Sequence, residues 1–143
     1  MKNYFFVNVL INLPLDKYYT YKANNKHKKK IEIGSVVSIP FGNNNELIKG
    51  VVISIINNFK SNYIIKEISD NQNKNVIFTK KQIKFFKWAE EYYLLNLSKI
   101  FHTIVPNNIL ESINNSNIKN QKDNKKINNN LKELNKFDTY LIK

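Results

Sequence analysis

The chain has 143 residues, a length that suits one domain with a short extension. Its 23 basic residues, all of them lysine, outnumber 11 acidic residues and give a net charge of +12, which favours a polyanionic partner without distinguishing nucleic acid from an anionic membrane surface. Cysteine is absent, which excludes disulfide bonds and thiolate metal sites.

The first predicted element is a β-strand over residues 4–11. Aromatic and aliphatic side chains fill alternate positions of this run, as in a half-buried strand. The run contains Asn8 and stops at Pro14, so it is too short for a transmembrane helix, and it lacks the small-residue cleavage site of a signal peptide. We therefore expect a cytosolic protein without a membrane partner.

Several more short strands follow, separated by polar loops. Strands at this spacing predict a small antiparallel sheet or barrel that extends to residue 78. The segments, in chain order, are a strand beginning at residues 18–21, a lysine-rich loop at 24–30, the two strands of a hairpin at 31–39 and 50–56, and a last strand at 63–68.

The loop of the hairpin opens with Pro40-Phe41-Gly42. We expect Pro40 to end the first hairpin strand, because proline cannot donate to a strand ladder. Gly42 permits a positive φ angle and leaves its amide without a covering side chain. A hairpin with such an uncovered amide at its mouth admits a flat ligand or a chain end against the main chain.

Residues 79–111 are predicted to be helical. Thr79 and Gln82 have the spacing of a capping box at the start of a first helix. A second helix is predicted over residues 97–105, where Pro106 ends it. We expect this helical hairpin to cap the sheet. The predicted buried stripe of the first helix consists of Ile83, Phe86, Ala89 and Tyr93, widened by Phe85, Trp88 and Tyr92.

The C-terminal part of the chain has a different composition. Residues 111–136 are rich in Asn and Lys and poor in large apolar groups, so we predict a disordered linker. Residues 137–143 regain apolar character at the end of the sequence. The fold class is therefore predicted as α+β: one domain over residues 1–110, a small antiparallel sheet or barrel followed by a helical hairpin and a disordered tail.

Catalytic motifs are absent from the sequence. Only three glycines occur, and no phosphate-binding loop is present. His27 and His102 lack the acidic neighbours of a metal site, so we interpret both as surface or helix-packing residues. Glu90 and Glu91 are adjacent on a predicted helix and diverge from each other. We expect no enzyme activity, no metal and no cofactor.

The order of four motifs resembles the N-terminal region of the PriA family, the bacterial primosomal replication-restart helicases. The resemblance covers roughly residues 4–110. The matching segments are residues 13–21 (LPLDKYYTY), 34–42 (GSVVSIPFG), 50–52 (GVV), and 88–93 (WAEEYY) running on to 101–106 (FHTIVP).

The resemblance implies a 3′ DNA-binding domain, a β-rich module that holds the 3′ end of a nascent leading strand at a stalled fork. In that family the pocket is formed by an aromatic residue and its neighbour, the glycine of the PFG loop and a later lysine. The corresponding positions here are Tyr19, Thr20, Gly42 and Lys66. Some members of the family carry a carboxylate where this chain has Thr20. Because a hydroxyl is uncharged, the resemblance also implies a lower selectivity for a free 3′-hydroxyl.

These residue types suit a terminal nucleotide. A Tyr19 ring stacks on any base for about 1–3 kcal/mol. The Thr20 hydroxyl can donate or accept hydrogen bonds at the sugar or base edge. The Lys66 ammonium supplies a charge for the phosphate. The residues expected to assist at the DNA backbone are Lys17, Lys22, Lys28, Lys29 and Lys30.

The family's full-length proteins continue into a winged helix, two helicase lobes and a zinc-binding insertion. The sequence lacks the motifs of the helicase lobes and the cysteines of the insertion, and residues 137–143 resemble at most the truncated start of the winged helix. Expected partners are therefore forked DNA with a 3′ end, together with separately encoded helicase lobes or other primosome proteins. Two alternatives are a small β-barrel that binds RNA or ribosomes nonspecifically through its lysines, and a non-catalytic remnant that docks onto a helicase through the aromatic helix over residues 80–95.

Overall fold

A four-stranded antiparallel sheet followed by two helices forms the part of the chain that the structure describes, residues 2–15, 17–69, 76–105 and 110 of a computed structural model. This architecture confirms the predicted α+β class. The predicted linker at 111–136 and the predicted winged-helix start at 137–143 lie outside the described residues. The elements are β1 (Tyr4–Ile11), β2 (Tyr19–Asn24), a 3₁₀ turn (Asn25–His27), β3 (Val36–Phe41), β4 (Glu46–Ile56), α1 (Lys80–Tyr93) and α2 (Leu97–Ile104).

The strands lie in the order β2-β1-β4-β3, so β2 and β3 form the two edges of the sheet. The sheet curls until these edges meet. The Tyr21 hydroxyl on β2 donates to the carbonyl oxygen of Pro40 on β3, with an oxygen–oxygen distance of 3.1 Å. The result is a half-barrel whose open side is narrowed by contacts between its two edge strands, β2 and β3.

Residues 66–69 connect the two edges. The Lys22 amide donates to the Lys66 carbonyl, and the Ile68 amide donates to the Lys22 carbonyl, both at 2.9 Å. The Ser69 amide donates to the Ser38 carbonyl on β3 at 2.8 Å. The prediction of a full strand at 63–68 was wrong: the segment makes a single parallel bridge to β2, between Glu67 and Lys22.

The β3–β4 hairpin corrects the expectation about Pro40. The strand does not end there: Pro40 pairs with Leu47, and Phe41 pairs with Glu46. Proline is tolerated here because β3 is an edge strand, so no strand on its outer side needs a hydrogen bond from the missing N–H. The hairpin also begins later than predicted, at Val36, because residues 33–34 form a turn and Ser35 makes only an isolated bridge to Val76.

The two faces of the sheet contribute to two apolar clusters. One cluster fills the inside of the half-barrel and includes Val7, Val9, Val37 and Ile39. The other cluster joins the opposite face to the helices. Its main members are Leu10, Val36, Val51, Ile53, Phe78, Ile83, Phe86, Leu97 and Phe101.

The helices start as predicted. The Gln82 amide donates to the Thr79 hydroxyl at 3.2 Å, and the Thr79 amide donates to the Gln82 side-chain oxygen at 2.8 Å, which confirms the capping box. A buried side chain fastens the second helix to the sheet, because the Asn12 amide group donates to the Val105 carbonyl at 2.6 Å. Pro106, the predicted end of this helix, lies outside the described residues.

The buried stripe of α1 is narrower than predicted. Ile83, Phe86 and Ala89 are buried as expected. The three aromatic residues of the last turns are not: Trp88 is 45%, Tyr92 67% and Tyr93 60% exposed. Among the described residues, no helix is long and apolar enough to cross a membrane.

Candidate nucleic-acid interface

An open cavity of about 430 Å³ lies where the ends of β2 and β3 approach each other. Its walls come from three segments that are far apart in sequence: the start of β2, the hairpin loop and the chain before residue 67. All four residues predicted for the pocket are among its lining residues. The complete lining is Lys17, Tyr18, Tyr19, Thr20, Tyr21, Pro40, Phe41, Gly42, Asn43, Tyr63, Ile64, Ile65 and Lys66.

Two aromatic rings form one wall of the cavity. Tyr19 on β2 and Phe41 on β3 meet edge to face, with ring centroids 5.3 Å apart and planes at 78°. The Lys17 ammonium lies 5.6 Å from the centroid of the Tyr19 ring. Sequence reasoning did not include Phe41 in the site, although its place between Pro40 and Gly42 in the PFG loop was a signal that could have found it.

Gly42 and Lys66 are in direct contact. The Lys66 ammonium donates to the Gly42 carbonyl at 2.8 Å and thereby joins the hairpin loop to the segment that closes the half-barrel. Lys66 is exposed, and an ammonium has three donors, so this bond leaves further N–H groups for an anion. The geometry therefore places a cationic group and a bare stretch of main chain at the same edge of the cavity.

The conformation of Gly42 explains why glycine suits this position. Its φ angle is +72°, a left-handed value that residues with a side chain rarely adopt. A Cβ atom built here would meet nothing within 4 Å. The requirement for glycine is therefore conformational, and the space above the loop is open to a ligand.

Thr20 lies beside the cavity, but its hydroxyl hydrogen is engaged elsewhere. The hydroxyl donates to the side-chain oxygen of Asn8 at 2.8 Å. The side-chain amide of Asn8 in turn donates to the Ser54 hydroxyl at 2.8 Å, which makes a polar row across three strands. The oxygen of Thr20 remains able to accept, whereas its hydrogen is not available as a donor to a ligand.

Tyr21 lines the cavity and joins its two edge strands through its hydroxyl. Burial raises the pKa of its hydroxyl to about 12, with a smaller contribution from the neighbouring Tyr19. The hydroxyl therefore stays protonated at neutral pH and acts as the donor to the Pro40 carbonyl. This bond holds the two edge strands at a fixed separation where the cavity begins.

The predicted auxiliary lysines do not form one group. Lys17 lines the cavity. Lys22 lies further along β2, and its ammonium is 4.5 Å from the ring centroid of Tyr4 on β1. Lys28, Lys29 and Lys30 are exposed in the turn that follows the opposite end of β2. The structure brings only the first of these lysines to the pocket.

Exposed apolar side chains surround the mouth of the cavity. Tyr18 is 47%, Tyr63 67% and Ile64 93% exposed. Sequence reasoning placed all three of them in strands, where one face would be covered. Within the described ranges, no group of three or more His, Cys, Asp or Glu residues is arranged to hold a metal ion.

The fold and the cavity together define a class of protein: a small β-rich binding module whose open site combines aromatic rings, bare main chain and a lysine. The family model of the PriA 3′ DNA-binding domain (3′BD) matches residues 8–106, and the chain belongs to this family. No curated protein matches the chain. Membership of the family assigns DNA binding as the general function and identifies the matched region as a DNA-binding domain.

Proposed function

We propose that the chain binds the 3′ end of a nascent DNA strand at stalled replication forks and acts in primosome assembly and replication restart. One observation carries this proposal: Tyr19, Gly42 and Lys66 come from three separate segments and line a single cavity. Such convergence on one open site is what a ligand pocket requires. The proposal includes a cytoplasmic location, where chromosomal DNA would be accessible, and DNA binding agrees with the excess of lysine.

The cavity suits a single nucleotide. Its volume of about 430 Å³ lies within the range of about 300–1,000 Å³ that is usual for small-ligand sites. Tyr19 offers a ring face for a base of any sequence. Lys66 offers N–H groups to the phosphate on the 5′ side of the last sugar, and the Gly42 loop limits the space beyond the 3′-hydroxyl.

The proposal predicts a preference for free 3′ ends. A recessed duplex that ends in a 3′-hydroxyl is expected to bind at least about tenfold more tightly than the same duplex with a 3′-phosphate, a difference of about 1.4 kcal/mol. The added phosphate needs space where the hairpin loop closes the site. Fluorescence anisotropy with both duplexes at one fixed salt concentration measures the ratio.

A duplex with a 5′-phosphate serves as the control, since it carries the same added charge at the wrong end. Equal affinities for the three duplexes would contradict end recognition. Binding would then be electrostatic only, as in the alternative of a small β-barrel that contacts RNA or ribosomal surfaces.

A second function is favoured by the exposed aromatic side chains of α1. Trp88 stacks on Tyr92 with ring centroids 5.0 Å apart, and Tyr92 meets Tyr93 at 4.9 Å. We infer that this surface contacts helicase lobes or another primosome protein, because aromatic residues are enriched in protein interfaces. Copurification with helicase subunits should survive salt that disrupts DNA contacts and should be lost in Trp88→Ala/Tyr92→Ala. Loss of copurification at high salt in the unmodified chain would contradict it.

A further inference from the structure

We propose that the duplex behind the bound 3′ terminus lies along β2 and is held by a lysine cluster about five base pairs from the pocket. The far lysine cluster is defined as Lys26, Lys28, Lys29 and Lys30. This inference rests on the proposed function, since the pocket fixes where the duplex starts. It adds a second DNA contact with a defined distance from the first.

The distance follows from the geometry of β2. The strand begins at Tyr19, which lines the cavity, and ends five residues later at Asn24. At about 3.3 Å per residue this strand spans roughly 17 Å. The far lysine cluster follows immediately, so it lies at the opposite end of the same edge strand from the pocket.

The far lysine cluster is held in a defined position. His27, which we had predicted to be a surface or helix-packing residue, is only 5% exposed and lies within the 3₁₀ turn. Its carbonyl accepts the amides of Lys30 at 2.8 Å and Ile31 at 3.0 Å. The Asn25 amide donates to the Asn3 carbonyl at 2.9 Å, which fastens the turn to the chain segment before β1. All four lysine side chains of the cluster are exposed on this anchored turn.

The edge between the two sites is also positive. Lys22 lies in the middle of β2 with the Lys66 main chain beside it, and Lys17 and Lys66 both line the pocket. Among the residues that the structure describes, the carboxylates nearest in the chain to these lysines are Glu67, which forms the bridge beside Lys22, and Glu32 after the cluster. Seven lysines therefore lie along this track.

Duplex DNA has the shape and charge that this track fits. It carries one negative charge per about 1.7 Å of axis, or one base pair per about 3.4 Å, so roughly 17 Å corresponds to about five base pairs. Duplex DNA is stiff over this length, with a persistence length of about 150 base pairs, and keeps a fixed spacing between the terminus and a given phosphate. Phosphates about four to seven positions from the 3′ end should therefore meet the far lysine cluster.

Methylphosphonate interference on the full chain tests this register. Neutral linkages are placed two at a time along a recessed duplex with a free 3′-hydroxyl. Neutralising positions four to seven should weaken binding about three- to tenfold, whereas neutralising positions beyond ten should have no effect. In Lys28→Ala/Lys29→Ala/Lys30→Ala the loss at positions four to seven should disappear, and the slope of log K against log salt should become shallower by about 2 to 3.

Lys80→Ala/Lys81→Ala/Lys84→Ala is the matched control, because it removes the same charge from exposed positions on α1. It should keep the interference pattern at positions four to seven. Interference confined to the last two phosphates, with the preference for free 3′ ends intact, would overturn the second contact alone. Interference spread evenly along the duplex, with equal affinity for blocked ends, would overturn the end recognition and with it the register.

Discussion

Replacing Gly34 with alanine is expected to unfold the domain or to cost more than about 4 kcal/mol of unfolding free energy. A Cβ atom at this position would lie 1.8 Å from the carbonyl oxygen and 2.8 Å from the carbonyl carbon of Phe78. These are main-chain atoms, so no rotation of a side chain relieves the clash. The φ angle of +92° adds a conformational cost.

The surroundings of Phe78 do not allow it to retreat. The Gly34 carbonyl accepts the amides of Ile77 at 3.0 Å and Phe78 at 3.4 Å, so the two segments are tied to each other. The Phe78 ring is 2% exposed and meets Phe86 and Phe101 edge to face, with ring centroids 5.4 and 5.8 Å away. Moving this residue would separate the sheet from the helices that cover it.

Denaturant unfolding followed by circular dichroism measures the effect, and Gly42→Ala supplies the matched control. Both glycines have positive φ angles, but a Cβ atom at Gly42 meets nothing within 4 Å. The control should therefore lose only about 1–2 kcal/mol, the cost of a left-handed conformation. Similar losses for the two variants would show that φ, and not the contact with Phe78, decides the stability at Gly34.

Local signals in the sequence predicted the elements whose stability is local. The capping box of Thr79 and Gln82 gave the start of α1, because its two hydrogen bonds join residues three apart. The apolar run likewise gave the bounds of β1, Tyr4–Ile11. The prediction that this strand is half-buried was wrong, because β1 lies between β2 and β4 and residues 5–11 are all buried. The position of Pro40 inside β3 was missed because it depends on the strand order, which makes β3 an edge.

The aromatic residues of α1 show a second limit. Helical periodicity assigns Trp88, Tyr92 and Tyr93 to the buried stripe since it records only their apolar character. In the structure Ile83 and Phe86 pack into the apolar cluster between the sheet and the helices. The rings of Trp88, Tyr92 and Tyr93 instead contact one another at the surface. Which apolar residues are covered depends on the size of the sheet face, and no periodicity contains that information.

For the candidate site, the resemblance to a family located residues that physical chemistry alone left ambiguous. Taken singly, Tyr19, Gly42 and Lys66 each have an ordinary structural interpretation. Their common place around one cavity is the observation that favours a functional interpretation. The engagement of the Thr20 hydroxyl by Asn8 was not predictable, because it depends on the register in which β1 and β2 pair. Phe41 was missed although its place in the PFG loop signalled it, and the structure shows its edge-to-face contact with Tyr19 across the half-barrel.

Replacing Gly42 with tryptophan is expected to abolish the preference for a free 3′ end and to weaken binding to the recessed duplex by at least about tenfold. Gly42 borders the cavity, and the space around its missing Cβ is open, so the indole ring would occupy the volume in which the terminal nucleotide lies. The lysines remain in place, so residual binding should keep its salt dependence and lose only its end preference. Anisotropy titrations with 3′-hydroxyl and 3′-phosphate duplexes measure both changes.

Two controls separate blocking of the cavity from other effects of this change. Gly42→Ala carries the same cost of a positive φ angle as Gly42→Trp but adds only a methyl group, so it should retain the end preference. Asn44→Trp adds the same ring to an exposed position of the same turn that does not line the cavity, and it should also bind normally. If Gly42→Trp folds and still distinguishes the two ends, the terminal nucleotide does not enter this cavity. If Asn44→Trp loses the preference as well, the hairpin loop acts through its conformation, because a ring outside the cavity cannot fill the space in which the nucleotide would lie.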